Sequence, residues 1–251
     1  MIMSKICFLL DPDKPQVENV FNACVELQEI FDRKFLSNLL EYWVGGTKAS
    51  GNDVRKWLKL LKDGKIGQRF IYPGKITHLL GYQYADSVLV PYLLNWTNIG
   101  VFSHNLLGIT VSQFYKRRCL FGYLVMSNKS SVGKLIDARN ISNEEALKIV
   151  KNFLDKSGSK VVYLEAGSGA RTPVPMDLIK EVSKTVHSYP LGMLIVGGGI
   201  KTANEVKKLF STGVDKVVIG TVLEKDSMEE SLDAMKKIIK PFEALSRNRY
   251  L

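Results

Sequence analysis

Short apolar runs and amphipathic stretches alternate along this chain from one end to the other, and that alternation restricts the fold more than any other feature. Apolar runs at 6–10, 42–44, 70–72, 87–90, 120–125, 161–164, 193–196 and 216–219 read as eight strands. Between them the apolar residues recur at helical spacing. The clearest stripes are Val17, Val20, Phe21 and Cys24; Val54, Trp57, Leu58 and Leu61; Ala146, Ile149, Val150, Phe153 and Leu154. Ile179, Val182 and Val186 form another, as do Ala203, Val206 and Phe210, and the last helix carries Met228, Leu232, Met235, Ile239 and Phe242. A further helix is expected within 104–117. Ser142, with Glu145 three residues on, reads as a capping box, and Thr202 as a helix cap. Only the segment 75–85 lacks a helical pattern where one is due.

Strand–helix alternation implies parallel strands joined by right-handed crossovers. Eight such units in 251 residues match a (β/α)8 TIM barrel. A doubly wound open sheet is the alternative, disfavoured because the first strand lacks a glycine-rich fingerprint. No linker or low-complexity stretch interrupts the chain, so one domain over 1–251 is expected.

Three strand ends carry glycine. Tyr163-Leu164-Glu165-Ala166-Gly167-Ser168-Gly169-Ala170 closes the sixth, Gly197-Gly198-Gly199 the seventh and Gly220-Thr221 the eighth. Glycine lets backbone N–H groups approach an anion closely, and a following helix adds the positive end of its dipole. In barrels of this size phosphate commonly binds after strands seven and eight. Plain turn glycines are the bland alternative for each cluster taken singly. Glu165, at the end of strand six, is a candidate base for a substrate hydroxyl, with a structural ion pair as the alternative. Asp11 and Thr47 end adjacent strands and offer hard oxygen ligands that suit Mg²⁺. The bland alternative for Asp11-Pro12-Asp13 is a turn with a helix N-cap, which Asp13 fits better than Asp11. Tyr163 either touches the substrate or fills the barrel. Tyr92, Leu93, Leu94, Trp96, Phe102, Leu106 and Leu107 read as core, or as the wall of a groove for a hydrocarbon chain.

The net charge of +10 favours acidic partners. Without a recognisable motif, nucleic acid is the weakest of these. The three cysteines have no metal-type spacing and read as buried thiols of a reducing cytoplasm. The histidines are scattered, and His187 reads as structural. The apolar start, residues 1–10, is expected to be a strand and not a signal peptide, and no apolar run is long enough to span a membrane.

Leu9-Leu10-Asp11-Pro12, Gly45-Gly46-Thr47, Tyr163–Ala170 followed by Pro173-Val174-Pro175, Leu194–Ile200, and Gly220-Thr221 together resemble the geranylgeranylglyceryl phosphate synthase family. The resemblance implies a modified TIM barrel whose third helix is replaced by a loop or strand-like segment. It implies transfer of the geranylgeranyl group of geranylgeranyl diphosphate to the 3-hydroxyl of sn-glycerol 1-phosphate, with release of pyrophosphate, in archaeal-type phospholipid biosynthesis. By the same resemblance Asp11 and Thr47 hold Mg²⁺. Tyr163, Leu164, Glu165, Ala166, Gly167, Ser168, Gly169, Gly198, Gly199, Gly220 and Thr221 then take the glycerol phosphate. A homo-oligomer, dimer or larger, and peripheral membrane contact are the expected associations, with no nucleic acid. Another phosphate-binding barrel enzyme, such as a sugar-phosphate isomerase or lyase, is the alternative, as is a relative using a different prenyl length. The chain departs from the family pattern at Trp96-Thr97-Asn98, Ser103-His104-Asn105 and in a long first helical region, 15–40.

Overall fold

A computed structural model of the chain describes residues 4–97 and 116–247. Each apolar run forms a strand: β1 (Lys5–Leu10), β2 (Leu40–Val44), β3 (Gln68–Ile71), β4 (Ser87–Leu93), β5 (Arg118–Val125), β6 (Val161–Glu165), β7 (Met193–Gly197) and β8 (Lys216–Ile219). They follow one another in chain order and close into a barrel. The pairs β1–β2, β2–β3, β4–β5, β5–β6, β6–β7 and β7–β8 are parallel. The fold is a TIM barrel.

Strand alternation sorts the side chains into two faces. Tyr42 meets Phe8 edge-on at 6.3 Å and its hydroxyl accepts from Gln28 Nε2, so this face looks toward the helix Val17–Ile30, α1. On the other face Cys7 stands opposite Glu41, and Leu9 opposite Trp43. The buried Glu41 carboxylate accepts from the Cys7 thiol at 3.7 Å and the Trp43 indole N–H at 3.3 Å, which offsets the cost of burying it. The three cysteines form no disulfide.

The chain divides into two compact units. One comprises residues 1–87, 200–208 and 219–251, the other 88–199 and 209–218. In the first, Arg69 and Asp86 latch the start of β3 to the start of β4. The guanidinium meets Asp86 Oδ1 at 2.9 Å, Asp86 Oδ2 accepts the Arg69 amide, and the Asp86 amide donates to the Arg69 carbonyl. In the second, Asn95 joins the ends of two strands. Its side-chain amide donates to the carbonyls of Val125 and Arg139, and its Oδ1 accepts the Val125 amide.

No α-helix follows β3, but its replacement is neither a loop nor strand-like: Ile76–Tyr84 is a nine-residue 3-10 helix. Such long 3-10 runs are uncommon. Close packing on the helix Gly51–Asp63, α3, accounts for this one. A Cβ at Gly81 would stand 3.4 Å from the Arg55 Cα and 2.5 Å from Leu58, and one at Gly51 would run into the Thr77 carbonyl. The long region 15–40 is two helices, because the chain is extended at Phe31 and Asp32 caps a second, Arg33–Leu39, by accepting the Phe35 amide. The Ser142 box is half made. Ser142 accepts the Glu145 amide, but the Glu145 carboxylate pairs with Arg139 at 2.7 Å. A complete box stands at Ser50 and Asp53. The helix expected in 104–117 falls largely outside the described residues.

Candidate functional site

In the first unit, the turn after β1 places two carboxylates. The Asp11 Oδ1 accepts the Asp13 amide at 3.0 Å and the Asp11 carbonyl accepts the Lys14 amide at 3.0 Å, a side-chain-supported turn. Asp13 does not cap the helix that follows. The N-cap of α1 is Gln16, with no side-chain bond. The Asp13 carboxylate crosses instead to the loop after β2, where Oδ2 accepts the Lys48 amide at 2.7 Å and the Thr47 hydroxyl at 3.5 Å. Gly46 leaves room for both acids: a Cβ there would be driven into Asp11 Oδ1 and stand 2.8 Å from Asp13 Oδ2. Burial, with the Asp13 charge adding to it, raises the Asp11 pKa against the opposing pull of the Asp13 amide and Lys14. The expected neighbours Asp11 and Thr47 are thus brought to one place, with Asp13 between their loops.

Glu224, which the sequence reading passed over, belongs to this electrostatic neighbourhood. Burial raises its pKa, Lys14 lowers it and Asp11 raises it. It follows Gly220 and Thr221 in a turn whose Leu223 amide donates to the Gly220 carbonyl at 2.8 Å. No local spacing signals it, because it approaches Asp11 from the far end of the chain. Among the described residues no cluster of three or more His, Cys, Asp or Glu side chains has the arrangement of a complete metal site.

In the second unit, Tyr163 and Glu165 share a face of β6. The Tyr163 hydroxyl reaches Glu165 Oε2 at 2.5 Å, and the Gly167 amide reaches Oε1 at 2.6 Å. The carboxylate is 7% exposed, and burial raises its pKa while both hydrogen bonds lower it. Tyr123 and Phe121 pack on the Tyr163 ring at 5.0 and 5.8 Å. The Ala166 amide pairs with the Gly197 carbonyl at 3.0 Å, and a turn from the Gly167 carbonyl to the Ala170 amide shapes the loop that exposes Ser168 and Gly169. Leu164 is fully buried, and alternation puts its side chain on the opposite face to Tyr163 and Glu165, so only its backbone is offered at the site.

Gly198 lies over this carboxylate with φ +86°. A Cβ there would stand 2.6 Å from Glu165 Oε1 and 2.6 Å from the Gly167 nitrogen. Gly199 follows at φ +73°. In the first unit, Gly220 is half-buried and Thr221 exposed. The helix dipole expected behind Gly199 is partly answered within the chain. The Glu205 carboxylate accepts the Lys201 and Thr202 amides at 2.8 Å each, which holds its pKa below the usual carboxylate range although burial opposes this. The sequence reading credited that helix start to a ligand; the capping acid already occupies part of it.

The profile of the PcrB family matches residues 1–239. The chain belongs to the PcrB family. It is 35% identical over 202 residues to a geranylgeranylglyceryl phosphate synthase of Pyrococcus horikoshii, covering 77% of this chain and 76% of that protein. It is 30% identical over 237 residues to the synthase of Methanosphaera stadtmanae, covering 92% and 89%. Among solved structures, the synthase of Thermoplasma volcanium superposes with a TM-score of 0.76 at 23% identity, over 95% of this chain and 92% of that one. The Thermoplasma acidophilum synthase, solved in complex with sn-glycerol-1-phosphate, gives 0.75 at 23% identity, with the same coverage. At that identity the superpositions speak for the barrel fold alone, and the family model and sequence relatives for membership.

Proposed function

We propose that this PcrB-family chain is a geranylgeranylglyceryl phosphate synthase, a prenyltransferase joining geranylgeranyl diphosphate to the 3-hydroxyl of sn-glycerol 1-phosphate. The observation that carries this reading is the buried Tyr163–Glu165–Gly167 constellation under Gly198, within a chain whose relatives bear that name. The acceptor phosphate is assigned to the backbone of Gly167–Gly169 and Gly198-Gly199. Left-handed glycines present their amides without a side chain in the way. The Glu165 carboxylate takes the proton from the acceptor hydroxyl. Its raised pKa makes it a stronger base than an ordinary carboxylate, and its two hydrogen bonds hold its orientation. The hydroxyl oxygen then bonds to the allylic carbon as the carbon–oxygen bond to diphosphate breaks and pyrophosphate departs.

Mg²⁺ fits the residues at Asp11 and Thr47. Two carboxylates stand over Gly46, with burial and Asp13 disfavouring negative charge on Asp11, a condition that a cation relieves. Asp11 and Thr47 would hold the ion, which would draw its remaining ligands from diphosphate and water, the usual arrangement for this ion. Bound there, the ion supplies charge neutralisation for the leaving diphosphate. Asp11 and Thr47 hold and orient the donor's charged end, and the Gly46 floor keeps the approach clear. The protein is proposed to work in the cytoplasm as a homo-oligomer that meets its lipophilic donor at a membrane surface. No helix among the described residues is long and apolar enough to cross a membrane.

The test is a product assay with labelled sn-glycerol 1-phosphate and geranylgeranyl diphosphate. An ether product that forms with Mg²⁺ and vanishes with chelator is expected. Absence of product at any Mg²⁺ concentration sinks the reading.

A further inference from the structure

We propose that Asp13 is a positioning residue, whose carboxylate fixes the loop after β2 so that Thr47 is held beside Asp11. This rests on the reading that Asp11 and Thr47 hold the cation. The two acids of the Asp-Pro-Asp turn divide the work. Asp11 spends one oxygen on the Asp13 amide, which closes the turn. Asp13 spends Oδ2 outside the turn, on the Lys48 amide at 2.7 Å and, at the longer distance of 3.5 Å, on the Thr47 hydroxyl. A carboxylate accepting a backbone amide makes a charge-assisted bond, stronger than a neutral one. That bond ties the loop after β1 to the loop after β2 one residue beyond Thr47. Gly46 is required beneath it, because any Cβ there collides with both acids.

The same loop is anchored independently from its other side. Lys75 Nζ donates to the Lys48 carbonyl at 2.7 Å, and His78 Nε2 meets the Ala49 carbonyl at 2.9 Å. The His78 ring is set by the Gly74 amide, which donates to Nδ1 at 3.1 Å and leaves the proton on Nε2. The loop therefore has two holds: one at Lys75 and His78 that keeps it folded, and one at Asp13 that sets where Thr47 points. Loss of Asp13 leaves the first hold intact, so the variants are expected to fold.

The experiment uses the full chain with Mn²⁺ as the probe, its binding followed by electron paramagnetic resonance without substrates, and hydrogen exchange of the Lys48 amide followed in parallel. Asp13→Ala is expected to weaken Mn²⁺ binding about tenfold or more, the usual effect of removing a residue that orients a metal ligand. It is also expected to speed Lys48 exchange and to raise the metal requirement. Asp13→Asn keeps an acceptor oxygen for the Lys48 amide and is expected to restore most of the affinity. If Asp13→Asn is as damaging as Asp13→Ala while Lys48 stays protected, Asp13 is itself a ligand and the proposal is overturned. If Asp11→Asn weakens Mn²⁺ binding and Asp13→Ala does not, the positioning role alone fails. If neither variant changes Mn²⁺ binding, the cation reading fails and takes the proposal with it.

Discussion

The Tyr163 hydroxyl donates to Glu165 Oε2 at 2.5 Å, while Oε1 of the same carboxylate accepts the Gly167 amide at 2.6 Å. One acid thus joins the strand, the aromatic wall and the glycine loop. Burial raises its pKa above the ordinary glutamate value, against the pull of these two bonds. A base works only when ionised, so the acidic limb of kcat against pH is expected above the usual carboxylate range. Tyr163→Phe removes a bond that favours the ionised form and is expected to move that limb to still higher pH. Glu165→Gln is expected to lower kcat by about 10² to 10⁴, the range for loss of a general base, with a smaller change in the KM for glycerol phosphate. Near-full turnover by Glu165→Gln would remove the base from Glu165.

Gly198 admits no side chain. Its φ of +86° is a left-handed backbone, and a Cβ would press on Glu165 Oε1 and on the Gly167 nitrogen. Gly198→Ala is expected to cost about 1–2 kcal/mol from the backbone alone, to displace the carboxylate, and to raise the KM for glycerol phosphate. Gly158 is the control, since a Cβ there meets nothing within 4 Å. Gly158→Ala is expected to leave activity and melting temperature unchanged. Equal behaviour of the two variants would contradict a close-packed role for Gly198.

Where residues interact with near neighbours in the chain, the sequence already showed the outcome. Short apolar runs became β1 to β8, and the Thr202 cap and the Tyr163–Gly169 string stand where their spacing put them. What escaped was decided by distant partners. Asp13 has the local signature of a cap, yet the Lys48 amide, 35 positions away, takes its carboxylate. Glu145 completes a box on paper, yet Arg139 takes it. Glu224 influences Asp11 from the far end of the chain. The nine-residue 3-10 helix has no pattern of its own, because α3 and the small size of Gly81 and Gly51 shape it.

His78 makes stability depend on pH with a definite sign. The ring is buried, Nδ1 accepts the Gly74 amide and Nε2 serves the Ala49 carbonyl, so only the neutral ring satisfies both groups. Burial, with Lys75 adding to it, lowers its pKa below the ordinary value. Between the folded pKa and about 6.5 the unfolded chain binds more protons, so this contribution is complete above about 6.5 and is lost as pH falls through that window. Asp11, Glu165 and Glu224 have raised pKa values and act with the opposite sign, so the comparison must be between variants. Urea midpoints of the native chain are expected to fall more steeply from pH 7 to pH 5 than those of His78→Gln. Parallel curves would show that His78 contributes nothing.

Asn95 offers a test of fold stability apart from chemistry. It is 1% exposed, and its amide bridges the carbonyls of Val125 and Arg139 at 2.7 and 3.1 Å while its Oδ1 takes the Val125 amide at 3.1 Å. Asn95→Ala leaves those buried backbone groups without partners, at an expected cost of about 3 kcal/mol. For a chain of this size that lowers the melting temperature by roughly 6–12 °C. Asn95→Asp keeps the shape but replaces the donor with a second oxygen facing two carbonyls. Although one acceptor bond survives, the carboxyl must be buried either charged or protonated, so this variant is expected to be less stable than Asn95→Ala near neutral pH and to recover as pH falls. Melting curves at pH 5 and pH 8 decide the matter: an Asn95→Asp protein at least as stable as Asn95→Ala at pH 8 would mean that the donor half of the amide does not hold these strand ends together.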